Sequence, residues 1–100
     1  MRYDTPIFFQ RVIQGEYDTS TGNYADPIIE ETKKYASVMN TGTETLRIIY
    51  GELRQDVLTI QLQNHYNKAF DRIRVGQKVY GVDYSRKLRT KHIFIVSEVQ

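Results

Sequence analysis

The sequence predicts a mostly-β fold, a small β-barrel or sandwich of about six short strands with long loops. Three observations predict it. Short runs of β-branched and aromatic residues recur along the chain, several alternating at period two. Turn-forming residues punctuate them, with Asp18, Gly22, Asn23, Asp26 and Pro27 in one cluster and Gly76-Gln77 in another. The chain has 100 residues, of which 40% are hydrophobic and 26% charged, which fits one folded domain over residues 1–100. A closed barrel is attractive because closure removes exposed strand edges.

The first strand is predicted over Pro6–Gln14 (PIFFQRVIQ). Gly15–Pro27 is a polar turn region that joins it, antiparallel, to a strand over Ile28–Met39. In that second strand Ala36 and Val38 share one face; Lys33, Tyr35 and Ser37 share the other. A helix over Glu30–Ala36 is the competing reading, and the β-branched Thr32 and Val38 favour strand. Asp56–Gln63 is the clearest strand, with Leu58, Ile60 and Leu62 alternating against Val57, Thr59 and Gln61. Arg72–Val75 turns tightly through Gly76-Gln77 into Lys78–Tyr84. A basic link, Ser85–Lys91, leads to a last strand, His92–Val99. There Ile93 and Ile95 face one way and Phe94 and Val96 the other, as in a strand covered on both sides. The expected core is one cluster of Val38, Leu58, Ile60, Leu62, Tyr80, Val82, Ile93 and Ile95.

Asn40–Gln55 has two readings. Leu46, Ile49, Tyr50 and Leu53 have helical spacing, which fits a short amphipathic helix on the barrel. Yet Thr43 is followed three residues later by Leu46, so the capping-box glutamate is missing. The other reading is a loop hinged at Gly42 and Gly51, mobile in the free chain, whose Leu46, Ile48, Ile49 and Tyr50 are buried only in an assembly.

The sequence offers little for catalysis. It has no cysteine, which excludes disulfides, thiolate metal sites and cysteine nucleophiles, and fits synthesis in a cytoplasm. No apolar run approaches the roughly 18 residues of a membrane span. The N-terminal apolar stretch Pro6–Phe9 is too short for a signal-peptide core, so a soluble chain without a cleaved leader is expected. His65 and His92 are far apart in sequence and lack neighbours at metal-ligand spacing; they read as surface or strand-end histidines. Asp26, Glu30 and Glu31 flank Pro27 at a turn-to-strand junction and read as solvated. The six glycines fit no phosphate-binding loop, and no GxSxG elbow occurs. The expectation is a protein that is not an enzyme, without cofactor, metal or small-molecule substrate.

Charge and tyrosine content point instead to partners. Residues 72–92 carry seven basic residues and one acid, a formal +6, whereas residues 1–71 carry seven basic residues and ten acids, a formal −3. Such asymmetry fits an oriented partner surface or an anionic ligand, or else a solvated hairpin tip. Eight tyrosines exceed the four phenylalanines. Tyrosine suits interfaces and also suits strands; Tyr80 is assigned to the core, and Tyr17, Tyr24, Tyr50 and Tyr66 to interfaces. A barrel with tyrosines and cations raises single-stranded nucleic-acid binding. The stretch Arg86-Lys87-Leu88-Arg89-Thr90-Lys91 has no interleaved aromatic, which argues against it.

The order of segments resembles the head-closure (head completion, stopper or head–tail joining) proteins of long-tailed bacteriophages. The residues that carry the resemblance are the turn Tyr17–Pro27 ending in Asp26-Pro27, the strand element Lys34-Tyr35-Ala36-Ser37-Val38, the element Gly76-Gln77-Lys78-Val79-Tyr80-Gly81-Val82, and the alternating Ile93-Phe94-Ile95-Val96. The middle region, Gly42–Leu53, departs from the family in being more apolar than a plain loop. The resemblance implies a small barrel with long loops and a virion-neck location after synthesis in the host cytoplasm. It implies a ring of identical copies on the portal or adaptor protein that helps retain packaged DNA through non-specific contact and offers a docking platform to a tail completion protein. It places a channel loop at Gly42, Leu46, Arg47, Ile48, Ile49, Tyr50, Gly51 and Arg54. Tyr17, Tyr24, Arg86, Lys87, Arg89 and Lys91 are the expected tail or adaptor interface. The free chain is expected to be monomeric or weakly associating. Alternatives are another small phage structural protein, for tail completion or the minor capsid, or a nucleic-acid-binding β-barrel.

Overall fold

The computed structural model describes residues 2–51 and 56–99. The strands are β1 (Thr5–Ile13), β2 (Tyr17–Asp18), β3 (Asn23–Tyr24), β4 (Ile28–Asn40), β5 (Val57–Leu62), β6 (Arg72–Val75), β7 (Lys78–Lys87) and β8 (His92–Glu98); one helix, α1 (Thr43–Tyr50), lies between β4 and β5. Six strands close an antiparallel barrel in the order β1-β4-β5-β8-β7-β6. The closure is short: β6 pairs with β1 only over Phe8–Gln10. Beyond it, the Asp71 amide donates to the Gln10 carbonyl at 2.8 Å, and the Val12 amide donates to Asp71 Oδ2 at 2.6 Å. A side chain thus continues the ladder where the strand stops.

The barrel interior is filled by Ile7, Phe9, Ala36, Ile60, Leu62, Ile73, Tyr80, Phe94 and Val96. Tyr66 and Phe70, from the loop between β5 and β6, join this cluster. Phe9 stacks on Tyr66 with centroids 3.7 Å apart and meets Phe70 edge-on at 4.9 Å. Tyr66 therefore belongs to the core and not to an interface. Val38, Leu58 and Val82 are partly buried against the same cluster.

Ile93 and Ile95 correct the expected single core. Directly opposed residues of antiparallel strands share a face. Leu58 and Ile60 lie opposite Val96 and Phe94, so those two enter the barrel while Ile93 and Ile95 face outward. A second cluster covers them: Leu46, Val57 and Ile95 are buried there, with Ile49, Tyr50 and Ile93 packed alongside.

That cluster explains α1. An eight-residue helix is marginal alone, and α1 has no side-chain cap at its N-terminus. Docking of Leu46, Ile49 and Tyr50, at helical spacing on one face, holds it. Gly42 and Gly51 are its caps and not hinges. Gly51 has φ +73°, the left-handed conformation glycine adopts without strain, and its amide donates to the Arg47 carbonyl. The hinged-loop expectation is corrected accordingly: residues 43–50 form a packed helix, in which Leu46 is buried.

Two strand boundaries also differ. β7 runs on through Lys87, with a bulge between Val82 and Tyr84, so Ser85–Lys87 are strand and not linker. The reversal into β8 is confined to Leu88–Lys91, closed by the Leu88 amide donating to the Lys91 carbonyl at 2.7 Å. The β6–β7 turn is the two-residue loop expected, with Gly76 at φ +61°.

β1 and β4 pair continuously from Thr5↔Ala36 to Ile13↔Ile28. Past Gln10 neither strand has another strand on its outer side, so Arg11–Ile13 and Ile28–Glu30 leave the barrel as a two-stranded ribbon. The ribbon is capped by the β2–β3 hairpin, and the molecule measures 54 × 29 × 23 Å.

Candidate interaction surfaces

The ribbon is an arm with exposed apolar groups. Val12 lies opposite Ile29 on one face and Ile13 opposite Ile28 on the other. Val12, Ile28 and Ile29 are exposed, Ile28 by 61%. At the tip, Tyr17 and Tyr24 pair across β2 and β3 with rings 5.1 Å apart at 62°, both more than half exposed. The tip is well defined. The Gly22 amide donates to the Asp18 carbonyl at 2.9 Å, and Gly22 sits at φ +73°. Asp18 Oδ1 accepts from the Ser20 hydroxyl at 2.7 Å and amide at 2.9 Å, bonds that hold its carboxyl below the usual range. Gly15 passes so close to Ala25 that a Cβ there would lie 2.2 Å from the Ala25 carbonyl oxygen.

A polar network fixes the arm at its root. Arg74 forms an ion pair with Glu31 at 2.8 Å and lies over the Phe8 ring, 4.0 Å from its centroid. Gln10 Nε2 donates to Glu31 Oε2 at 2.7 Å, while Arg72 Nε donates to Gln10 Oε1 at 2.6 Å. Hydrogen bonds from Arg74 and Gln10 hold the Glu31 carboxyl below its usual range. Asp26, Glu30 and Glu31 are all exposed, as expected, but Glu31 is also paired and anchors the arm.

The second surface is the β7–β8 hairpin with Arg86, Lys87, Arg89 and Lys91. Lys87 Nζ donates to Asn67 Oδ1 at 2.7 Å, and Lys91 Nζ lies 5.5 Å from the Tyr3 ring centroid. Among the described residues, Arg86 and Arg89 have no acidic partner within ion-pair distance. Tyr84, two residues from Arg86 on the outward face, is 44% exposed.

Two histidines brace this hairpin. Distant in sequence, their rings come within 6.0 Å. His65 Nε2 hydrogen-bonds the Leu88 carbonyl. His92 opens β8, as the sequence suggests, but it is buried and not at the surface: its Nδ1 accepts from the Tyr66 amide at 3.1 Å, so its Nε2–H donates to Ser85 Oγ at 2.8 Å. Burial, then the charge of Lys87, holds its pKa below the ordinary value. Among the described residues no three His, Asp or Glu side chains gather as a metal site would need.

The helix surface is the third. Leu46 is buried and Ile49 and Tyr50 half-buried, while Arg47 and Ile48 are exposed, Ile48 by 79%. The Tyr50 hydroxyl donates to Asp83 Oδ2 at 2.6 Å, tying α1 to the β7 bulge. Arg54 and Leu53 lie outside the described residues. At the end of the barrel away from the arm, Asn40, Asp56, Leu58, Lys78, Tyr80 and Glu98 line an open cleft of about 400 Å³. Among the described residues no helix is long and apolar enough to cross a membrane.

The structure thus places Tyr17 and Tyr24 on one projecting hairpin and Arg86, Lys87, Arg89 and Lys91 on another, apart from each other. The arm residues Val12, Ile28 and Ile29 were not anticipated; their signal is apolar character flanking a polar turn. Comparison with protein-family models, curated proteins and solved structures finds no match.

Proposed function

We propose that the chain is a structural neck protein of a tailed bacteriophage, one that joins the portal or adaptor end of a capsid to the tail. The observation that carries the reading is the arm. A two-stranded ribbon is marginal in water, yet this one holds Val12, Ile28, Ile29 and the Tyr17–Tyr24 pair away from the barrel. Exposed apolar and aromatic groups on a projecting element suit a protein partner. Arms and hairpins on a small closed barrel also suit stacked rings, where contacts are spread over several neighbours. In this reading the chain has no catalytic step; it holds partners and helps keep DNA inside.

Genetics tests the reading. A phage with this reading frame interrupted is expected to accumulate DNA-filled heads that leak, beside unattached tails. Intact tailed particles without the chain reject it.

The nucleic-acid-binding alternative is favoured by one observation. Lys33 Nζ lies 5.1 Å from the Tyr35 ring centroid and Arg74 covers Phe8, so cations and aromatics do alternate on the outer β1–β4 face. Binding of an unstructured oligonucleotide that is lost in Tyr35→Ala would favour it; unchanged binding would remove it.

A further inference from the structure

We infer that the arm of one copy docks on the β7–β8 hairpin of the next, forming the head-to-tail contact of a ring. The inference rests on the neck reading and specifies which surfaces meet. Charge is the first argument. The arm, residues 11–30, carries Glu16, Asp18, Asp26 and Glu30 against Arg11, a formal −3. Residues 84–92 carry Arg86, Lys87, Arg89 and Lys91 and no acid, a formal +4. Among the described residues, Glu16, Asp26 and Glu30 have no cation, and Arg86 and Arg89 no carboxylate, within ion-pair distance.

Topology is the second argument. In the barrel order β1-β4-β5-β8-β7-β6, β8 stands three strands from β1 and β7 three from β4. The two hairpins therefore rise from opposite walls. Every neighbouring pair is antiparallel, so β7 runs parallel to β1 and both hairpins point from the same end. Opposite charges that rise from opposite walls are kept apart within a copy. Between copies they produce a heterologous contact, the kind that closes a ring when the rotation fits. The same arrangement disfavours a two-fold dimer through either hairpin, because arm would face arm or cation would face cation. Exposed Tyr84 beside Arg86 gives the Tyr17–Tyr24 pair an apolar seat within the charged frame.

The chain lacks cysteine, which makes the contact simple to trap. Full-length protein carrying Asp26→Cys and Arg89→Cys, oxidised at high concentration and low salt, is expected to give a ladder of covalent oligomers. Glu16→Lys with Glu30→Lys, added to that chain, is expected to lower the ladder about tenfold, as like charges then face each other. Arg86→Glu with Lys87→Glu is expected to do the same. Mixing the two reversed chains restores the ladder, since each arm then finds an opposite hairpin, and this rescue excludes misfolding as the cause. Cross-linked monomer alone, or a ladder indifferent to reversal and salt, overturns the contact. Rings recovered from phage necks in which these residues do not meet overturn it while leaving the neck reading intact. Reversals that abolish duplex DNA binding yet leave the ladder unchanged also overturn it, making the hairpin a DNA surface.

Discussion

Replacing Leu46 by alanine distinguishes a docked helix from a free loop. Leu46 is 6% exposed and sits against Val57 and Ile95, both 4% exposed. Removing a buried leucine side chain costs about 2–5 kcal/mol, the spread reflecting how far the site collapses. This site lies between a short helix and one sheet face, so α1 can settle toward β5 and β8, and about 2–3 kcal/mol is expected. For a domain of this size that corresponds to roughly 10–20 °C in Tm. The helix has little to hold it otherwise, since its isolated form is marginal and its N-cap is a glycine. The amides of Leu46, bonded to Gly42, and Gly51, bonded to Arg47, are therefore expected to lose hydrogen-exchange protection before the barrel does. Ile48→Ala is the control. Its side chain is 79% exposed, and the change is expected within about 0.5 kcal/mol. Thermal melts and amide exchange on both variants decide the matter. A Leu46→Ala melt no lower than that of Ile48→Ala, with unprotected amides in the parent, would refute the docked helix.

Two further outcomes follow from single sites. The His92 pKa is held below its ordinary 6.5, so the unfolded chain binds the proton more readily. The stability contribution is complete above pH 6.5 and is lost as pH falls from there through the folded-state value; denaturant melts should show a slope in that window that His92→Gln flattens. Gly15→Ala would set a Cβ 2.2 Å from the Ala25 carbonyl oxygen. The displaced tip is expected to cost about 1–3 kcal/mol locally, visible as loss of the Tyr17–Tyr24 ring-current shifts in NMR, with the barrel's own exchange protection unchanged.

Strands were legible where alternation was strict. Leu58, Ile60 and Leu62 identify β5 and its inward face, and Gly76-Gln77 identifies a two-residue hairpin. The faces of β8 were not legible, because His92–Val96 is apolar on both sides and only its register against β5 decides which side enters the barrel. That register depends on residues some 35 positions away in sequence. The helix was ambiguous for a related reason: its spacing was visible, but its stability comes from Val57, Ile93 and Ile95 and not from its own caps. Tyr66 and Phe70 were hidden in a polar loop, and nothing local marks them as a plug. Of the candidate interface residues, the tyrosine pair and the four cations could be named in advance. Their separation onto two walls follows only from the closed strand order.

Barrel closure limits how such a protein can bind. In an open sheet, unpaired amides and carbonyls at the edges are available to a partner strand. Here closure pairs those groups along the ladders, while β1 outside Phe8–Gln10 and β4 before Ser37 have no neighbouring strand on their outer side among the described residues. Hairpins that outrun their neighbours restore reach without reopening an edge in the core. The arm needs a firm base, since its outer half lacks a core, and the polar network at its root supplies one. Asp71 receives the Val12 amide where β6 ends; Arg72, Gln10, Glu31 and Arg74 tie three strands together below it. Glu31 and Arg74 at the root are paired with each other, whereas Glu16 and Asp26 farther out have no cation within ion-pair distance among the described residues. Root charges meet each other and stiffen the ribbon. In the proposed ring, the outer charges are left to select the next copy, and Val12, Ile28, Ile29 and the tyrosine pair contribute affinity once water is excluded. Tightening the root and neutralising the tip should therefore separate: Glu31→Gln loosens the arm within a single chain, whereas Glu16→Gln with Asp26→Asn leaves the arm ordered and weakens only contact between copies. Backbone order parameters for residues 12–30, read beside cross-linking yield, distinguish the two. Equal loss of order in both variants would contradict this division between root and tip.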